Sequence, residues 1–185
     1  MIAVEEAVGK FRAADRVRKG RDPNFLLIAR TDAAGVAGGS LDDAIQRANA
    51  YLGAGADVAF IEGPTTVDEL RRIVREVRGP ILYNQAGASP RLTTEQLRDI
   101  GVAIVIFPGA MLRSGLYAMH DYAMDLRSRG AGADMDFAQR TAGHPLANLH
   151  AFAGFDRIRA LEEEFLPPGE TRKYDGSAGF QPPRP

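Results

Sequence analysis

Short apolar runs that end on polar residues recur along this chain, with segments of helical spacing between them. The first run, Phe25 to Ala29, stops at Arg30, Thr31 and Asp32. Val58 to Ile61 ends at Glu62, Ile81 to Tyr83 ends at Asn84, and Ala103 to Phe107 ends at Pro108 and Gly109. The first run is continuous over enough residues to predict a strand buried on both faces, as in a parallel sheet covered by helices. The polar residues would then stand at the C-terminal ends of strands, where parallel α/β proteins bind their ligands.

Between the runs the period changes to that of a helix. Val4, Val8, Phe11, Ala14 and Val17 share one face, and basic residues close the segment before Gly20. Ser40 is placed to cap a helix with Leu41, Ala44, Ile45, Ala48 and Leu52 inward, closed by Gly53 and Gly55. Thr66 with Glu69, and Thr93 with Gln96, have the spacing of capping boxes. The first opens a helix with Leu70, Ile73, Val74 and Val77 inward, and the second a shorter one that Gly101 stops. Met111 to Arg127 predicts a long helix, Gly130 to Gly132 a link, the residues through His150 a looser segment, and Phe152 to Phe165 a last helix.

Alternation of strand and helix means a parallel sheet with right-handed crossovers. The strands recur at intervals of about 22 to 33 residues, close to the roughly 30 residues per unit of a (β/α)8 barrel. The expectation is therefore an α/β fold: a partial TIM (β/α)8-type barrel of about four βα units with C-terminal helices over residues 1–166. A Pro/Gly-rich tail follows over 167–185, ordered only if a partner holds it. The alternative is an open doubly wound sheet with helices on both faces. Against it, the Gly35 to Gly39 cluster matches neither G-x-G-x-x-G nor a P-loop.

Composition narrows the chemistry. The 185 residues carry a formal net charge of -1 and contain no cysteine, which excludes disulfides, zinc thiolates and cysteine nucleophiles within the chain. The near-neutral balance gives no electrostatic reason for a nucleic-acid or anionic-membrane partner. No apolar run approaches the roughly 20 residues of a membrane span, and the N-terminus does not resemble a secretory signal. A cytoplasmic protein is expected. His120, His144 and His150 lack metal-ligand spacing and are expected on the surface or in packing, and Glu162 to Glu164 on a solvated helix face.

Four motifs, in order and spacing, carry a resemblance: Ala29-Arg30-Thr31-Asp32-Ala33, Ile61-Glu62-Gly63, Tyr83-Asn84-Gln85 and Ile106-Phe107-Pro108-Gly109. Together they resemble the isocitrate lyase and phosphoenolpyruvate mutase superfamily, closest to its methylisocitrate lyase, oxaloacetate decarboxylase and carboxyphosphonoenolpyruvate mutase branch. The resemblance implies a Mg2+-dependent barrel enzyme of carbon-carbon lyase or phosphonomutase type. Such enzymes cleave or form a C–C or P–C bond beside a carboxylate, in small 2-oxo or 2-hydroxy acids, through a metal-stabilised enolate. It further implies that Arg30 grips a substrate oxygen, that Glu62 sits in the outer shell of the metal, and that Asn84 donates to a carboxylate oxygen. A guanidinium suits that role because it is a permanently charged, rigid fork.

The family's metal-binding acidic residues and its Lys-x-Cys-Gly-His loop have no counterpart here. Ala3-Val4-Glu5-Glu6 resembles the segment just after that loop. The chain is thus expected to represent the C-terminal half of such a barrel, without direct Mg2+ ligands and without Mg2+-dependent turnover by itself if Met1 is the true start. The alternative function is an inactive half-barrel that serves only as an oligomerising or binding fragment. Open barrel edges need covering, so a homo-oligomer is expected, with Phe152, Phe155 and Phe165 on an interface face. Read without the resemblance, Arg30 serves equally as a structural ion-pair partner of Asp32 or Glu62, and Asp32 is expected to bond loop amides.

Overall fold

The structure, a computed structural model, describes residues 1–171. The expected tail therefore falls largely outside the described residues, which reach only its opening helical turn at Pro168–Thr171. The chain divides into two compact units, the first ending at Arg113 and the second beginning at Ser114. Among the described residues no helix is long and apolar enough to cross a membrane.

In the first unit, helix α1 (Val4–Arg21) precedes three βα steps and a fourth strand: β1 (Ile28–Thr31), α2 (Leu41–Gly53), β2 (Val58–Ile61), α3 (Val67–Glu76), β3 (Leu82–Asn84), α4 (Thr94–Ile100) and β4 (Ile104–Ile106). Strands β1 and β2 pair in parallel, with Arg30 opposite Phe60 and Thr31 opposite Ile61. Strands β3 and β4 also pair in parallel, with Asn84 opposite Ile106. A parallel bridge from Ala59 to Ile81 joins the two pairs. The spatial order is therefore the order of the sequence, as short right-handed crossovers produce.

The caps form as their spacing predicts. Ser40 Oγ accepts from the Asp43 amide at 3.0 Å, and complete capping boxes open α3 and α4. The Thr65 backbone amide holds the Glu69 carboxyl below the usual carboxylate range. Gly101 ends α4 in the left-handed region at φ 98°.

The two faces of the sheet differ. One packs on helices: Ala59 and Ile61 with Ala44, Ala48, Ile73 and Val77, Ala29 with Ala7 and Tyr51, and Tyr83 with Leu70 and Leu97. The other gathers Val58, Phe60 and Leu82 with Ile104 and Ile106, and among the described residues no helix residue joins that cluster. Helices on both faces, the mark of a doubly wound sheet, are not what this unit builds. This one-sidedness also corrects the expectation for β1. The strand starts at Ile28 rather than Phe25, and its residues alternate between exposed and buried instead of being buried on both faces.

At the opposite ends of the strands from the polar residues, Arg18 ties α1 to the sheet. Its guanidinium donates to Asp57, to Asp15 at 2.6 Å and to the Gly55 carbonyl at 3.1 Å, and Asp57 also accepts from the Leu27 amide at 2.8 Å. Lys19 and Arg18 hold the Asp15 carboxyl below its ordinary range. Gly55 sits at φ 112°, and a Cβ there would lie 2.6 Å from Asp15 Cβ.

The second unit is helical: most of α5 (Ala110–Arg129), then α6 (Ala131–Thr141), α7 (Leu149–Phe152), α8 (Phe155–Phe165) and the short α9 (Pro168–Thr171). The expected link and loose segment are corrected here. Gly130 breaks the chain at φ 57°, but Gly132 lies inside α6. Helix α6 is held against α5 by Tyr122 donating to Asp134 at 2.7 Å and by Arg129, which reaches Asp136 at 2.5 Å while pairing with Asp125 one turn back in its own helix. The expected last helix is likewise two helices, parted by Gly154 at φ 83°.

Candidate functional site

Three adjacent strands deliver the site. Arg30 is the third residue of β1, Asn84 ends β3, and Glu62 directly follows β2. The Glu62 amide donates to the Thr31 carbonyl at 3.0 Å, so the β1 and β2 ladder continues one step and fixes where the Glu62 carboxylate starts. In register, Arg30 and Asn84 lie on the strand-only face, since successive residues of a strand alternate between faces.

Their side chains form one connected chain of polar contacts. Asn84 Nδ2 donates to Glu62 Oε1 at 3.1 Å and Oε2 at 3.3 Å. Glu62 Oε2 lies 3.4 Å from Arg30 Nη2, and Arg30 Nε donates to Asp32 Oδ1 at 2.9 Å. The guanidinium carbon stands 5.1 Å from the centre of the Phe60 ring, within cation–π range. Asn84 Oδ1 is buried and accepts no hydrogen bond from the described residues. Side-chain exposure is 54% for Arg30, 48% for Asp32 and 25% for Glu62, so the guanidinium is open to a ligand from solvent.

The three predicted residues thus meet, and Arg30 makes the ion pairs with Asp32 and Glu62 that the residues read without the resemblance allow. The Asn84 amide donor faces Glu62, which leaves its oxygen rather than its nitrogen uncommitted. Asp32 bonds Arg30 and not the loop amides; the loop hydrogen bond at this residue, from the Gly35 amide at 3.0 Å, goes to its backbone carbonyl. Phe60 was not singled out from the sequence. Its link to Arg30 needs the β1 and β2 register, which no local pattern supplies.

The loop after β3 is fixed from beneath. Tyr83 is buried between α3 and α4, and its hydroxyl donates to the Pro90 carbonyl at 2.6 Å. Burial pushes the phenol pKa up. Arg91 donates to the Gln85 carbonyl, and the Gln85 side chain accepts from the Leu92 amide at 3.2 Å.

The site carries one guanidinium and two carboxylates, and an added carboxylate ligand brings more negative charge. A cation would offset it, but the residues present do not fit a directly held Mg2+. Among the described residues no three His, Asp or Glu side chains gather closely enough to bind a metal. Asp32 and Glu62, the carboxylates at hand, both face Arg30.

The sequence pattern described as phosphoenolpyruvate phosphomutase matches residues 1–127. A 2-methylisocitrate lyase of Aeropyrum pernix is 35% identical over 171 residues, which cover 90% of this chain and 54% of that protein. A crystal structure of 2,3-dimethylmalate lyase, of the PEP mutase/isocitrate lyase superfamily, superposes with a TM-score of 0.75 at 27% identity, over 89% of this chain and 55% of that one. Oxaloacetate acetylhydrolase in complex with its product oxalate superposes with a TM-score of 0.65 at 30% identity, over 70% of this chain and 45% of that one. The chain spans about half the length of the relatives it matches. Its α/β fold is of the TIM-barrel type these proteins share, and the chain belongs to the phosphoenolpyruvate phosphomutase family.

Proposed function

We propose that this chain supplies the carboxylate-holding wall of a lyase or mutase site that acts on small 2-oxo or 2-hydroxy acids. In this reading its four strands are an arc of a (β/α)8 barrel, with the strand-only face turned to the interior. Arg30 binds a ligand carboxylate or carbonyl oxygen, while Glu62 and Asn84 border the same ligand. The observation that carries the reading is the unbroken contact chain Arg30–Glu62–Asn84 across three neighbouring strand ends. The names of the relatives support the ligand class, and oxalate bound to one of them supports a short dicarboxylate as probe.

The bond broken in the reaction is C–C or P–C, and the charge to be stabilised is an enolate. A Mg2+ ion would supply positive charge at the enolate oxygen; its direct ligands would come from residues other than those described. This chain's contribution is electrostatic and positional: a guanidinium held in place before the reaction and facing the developing negative charge. Amide NMR spectra of the 185-residue chain titrated with oxalate test where a ligand sits. Shifts are expected to cluster at residues 30–32, 62–63 and 84–86, and shifts confined to other segments would sink the assignment.

We further propose that the chain associates with itself. Leu112, Leu116 and Met119 follow one stripe of α5 and are exposed, as are Phe155, Ile158 and Phe165 on α8, which is more apolar surface than a lone domain usually shows. Sedimentation should give a species larger than one chain, and a well-folded monomer would contradict this.

A further inference from the structure

We infer that Asp32, together with the Phe60 ring, is a positioning device that aims the Arg30 guanidinium and so sets which of its edges a ligand meets. The ligand part of this inference rests on the carboxylate-binding reading above.

A guanidinium offers a carboxylate two bidentate edges, one side-on through Nε and an Nη, the other end-on through both Nη atoms. In this site the side-on edge is already occupied. Asp32 Oδ1 takes the Nε hydrogen at 2.9 Å, and Glu62 Oε2 stands 3.4 Å from Nη2. No hydrogen bond or ion pair among the described residues involves Nη1. Phe60, paired with Arg30 across the strands, lies 5.1 Å from the guanidinium carbon and supports the group from one face. An incoming anion is therefore left the end-on edge, led by Nη1.

The arrangement has a physical reason. The Arg30 side chain is 54% exposed, and an arginine so placed would otherwise sample many rotamers that a ligand must freeze on binding. Asp32 stands two residues along from Arg30 and its carboxylate lies alongside Nε, so one charge-assisted bond at the end of β1 narrows the side chain's rotamers beforehand. The cost is a negative charge close to an anion site. Geometry and charge therefore pull binding in opposite directions, and two substitutions separate them.

Asp32→Ala removes both the acceptor and the charge, whereas Asp32→Asn keeps an acceptor oxygen without the charge. Oxalate affinity should fall about tenfold in Asp32→Ala, the cost of immobilising one free arginine side chain. In Asp32→Asn it should stay within about threefold of the unsubstituted chain. The Arg30 Nε–H resonance in 15N NMR, assigned by its loss in Arg30→Lys, should be protected from exchange. It should lose that protection in Asp32→Ala and keep it in Asp32→Asn. Unchanged oxalate affinity in Asp32→Ala overturns the inference, and so does tighter binding in both variants, which would make Asp32 a charge effect alone. If the unsubstituted chain binds no oxalate, the carboxylate-binding reading fails instead. The Nε–H resonance then decides the aiming of Arg30 by itself, and an unmoved resonance in Asp32→Ala overturns it.

Discussion

Gly39→Ala is expected to lower the stability of this protein by about 3 kcal/mol or more, the upper range for forcing extra atoms into a packed site. Gly39 closes the loop that leaves β1 after Asp32, with its amide donating to the Val36 carbonyl at 2.9 Å. A Cβ there would run directly onto the Ala33 carbonyl oxygen and lie 3.0 Å from Val36 Cγ2. The obstacle is backbone, which no rotamer change can move aside. Ala33 is itself fully buried against α2 and β2, so relief requires shifting either the core or the start of α2. Gly35→Ala is the matched control, because its Cβ would meet nothing nearer than the Asp32 carbonyl at 3.9 Å. Thermal melts should show Gly39→Ala losing roughly 10 °C or more and Gly35→Ala only a few degrees. Equal melting of the two variants would contradict the packing of this loop. Because the loop begins at Asp32, the Gly39 variant is also expected to loosen Arg30.

How much of this was legible in the sequence follows from the range of the interactions. The caps at Ser40, Thr66 and Thr93 are contacts between residues three apart, and they formed as read. The order of strands and helices in the first unit was legible for the same reason, since each apolar run and each helical stripe is a local pattern. Strand β1 was misjudged because a run of apolar residues reports hydrophobicity but not which faces will find cover. Phe25 and Leu26 precede the strand and are exposed, and Ile28 lies on the sheet face opposite the one that α2 and α3 cover. Helix α6 was missed because Gly130 and Gly132 looked like a link, while the bonds from Tyr122 and Arg129 that hold it are tertiary. Arg30, Glu62 and Asn84 were expected together from their motifs and strand-end positions, and their side chains are in contact. That Glu62 would bridge the other two, and that Phe60 would lie beside Arg30, depends on strand register, which the sequence does not display.

Arg30→Ala is expected to weaken oxalate binding by at least about a hundredfold, which corresponds to roughly 3 kcal/mol for a desolvated charge-assisted contact. Two effects add. The donor edge facing the ligand disappears, and Asp32 and Glu62 are left with no cation between them, so an anion meets two carboxylates instead of one ion cluster. Stability should change little, because the Arg30 side chain is more than half exposed and its ion pairs are solvent-screened. Lost binding with an unchanged melt would therefore report the site and not the fold. Arg30→Lys keeps the charge but not the fork and should bind at an intermediate level. The decisive measurement is calorimetric titration of oxalate, with and without Mg2+, into the 185-residue chain and into Arg30→Ala. Binding to the unsubstituted chain that drops a hundredfold or more in Arg30→Ala is the predicted result. Equal affinity for both chains, or no binding to the unsubstituted chain under either condition, would contradict a carboxylate site at these strand ends.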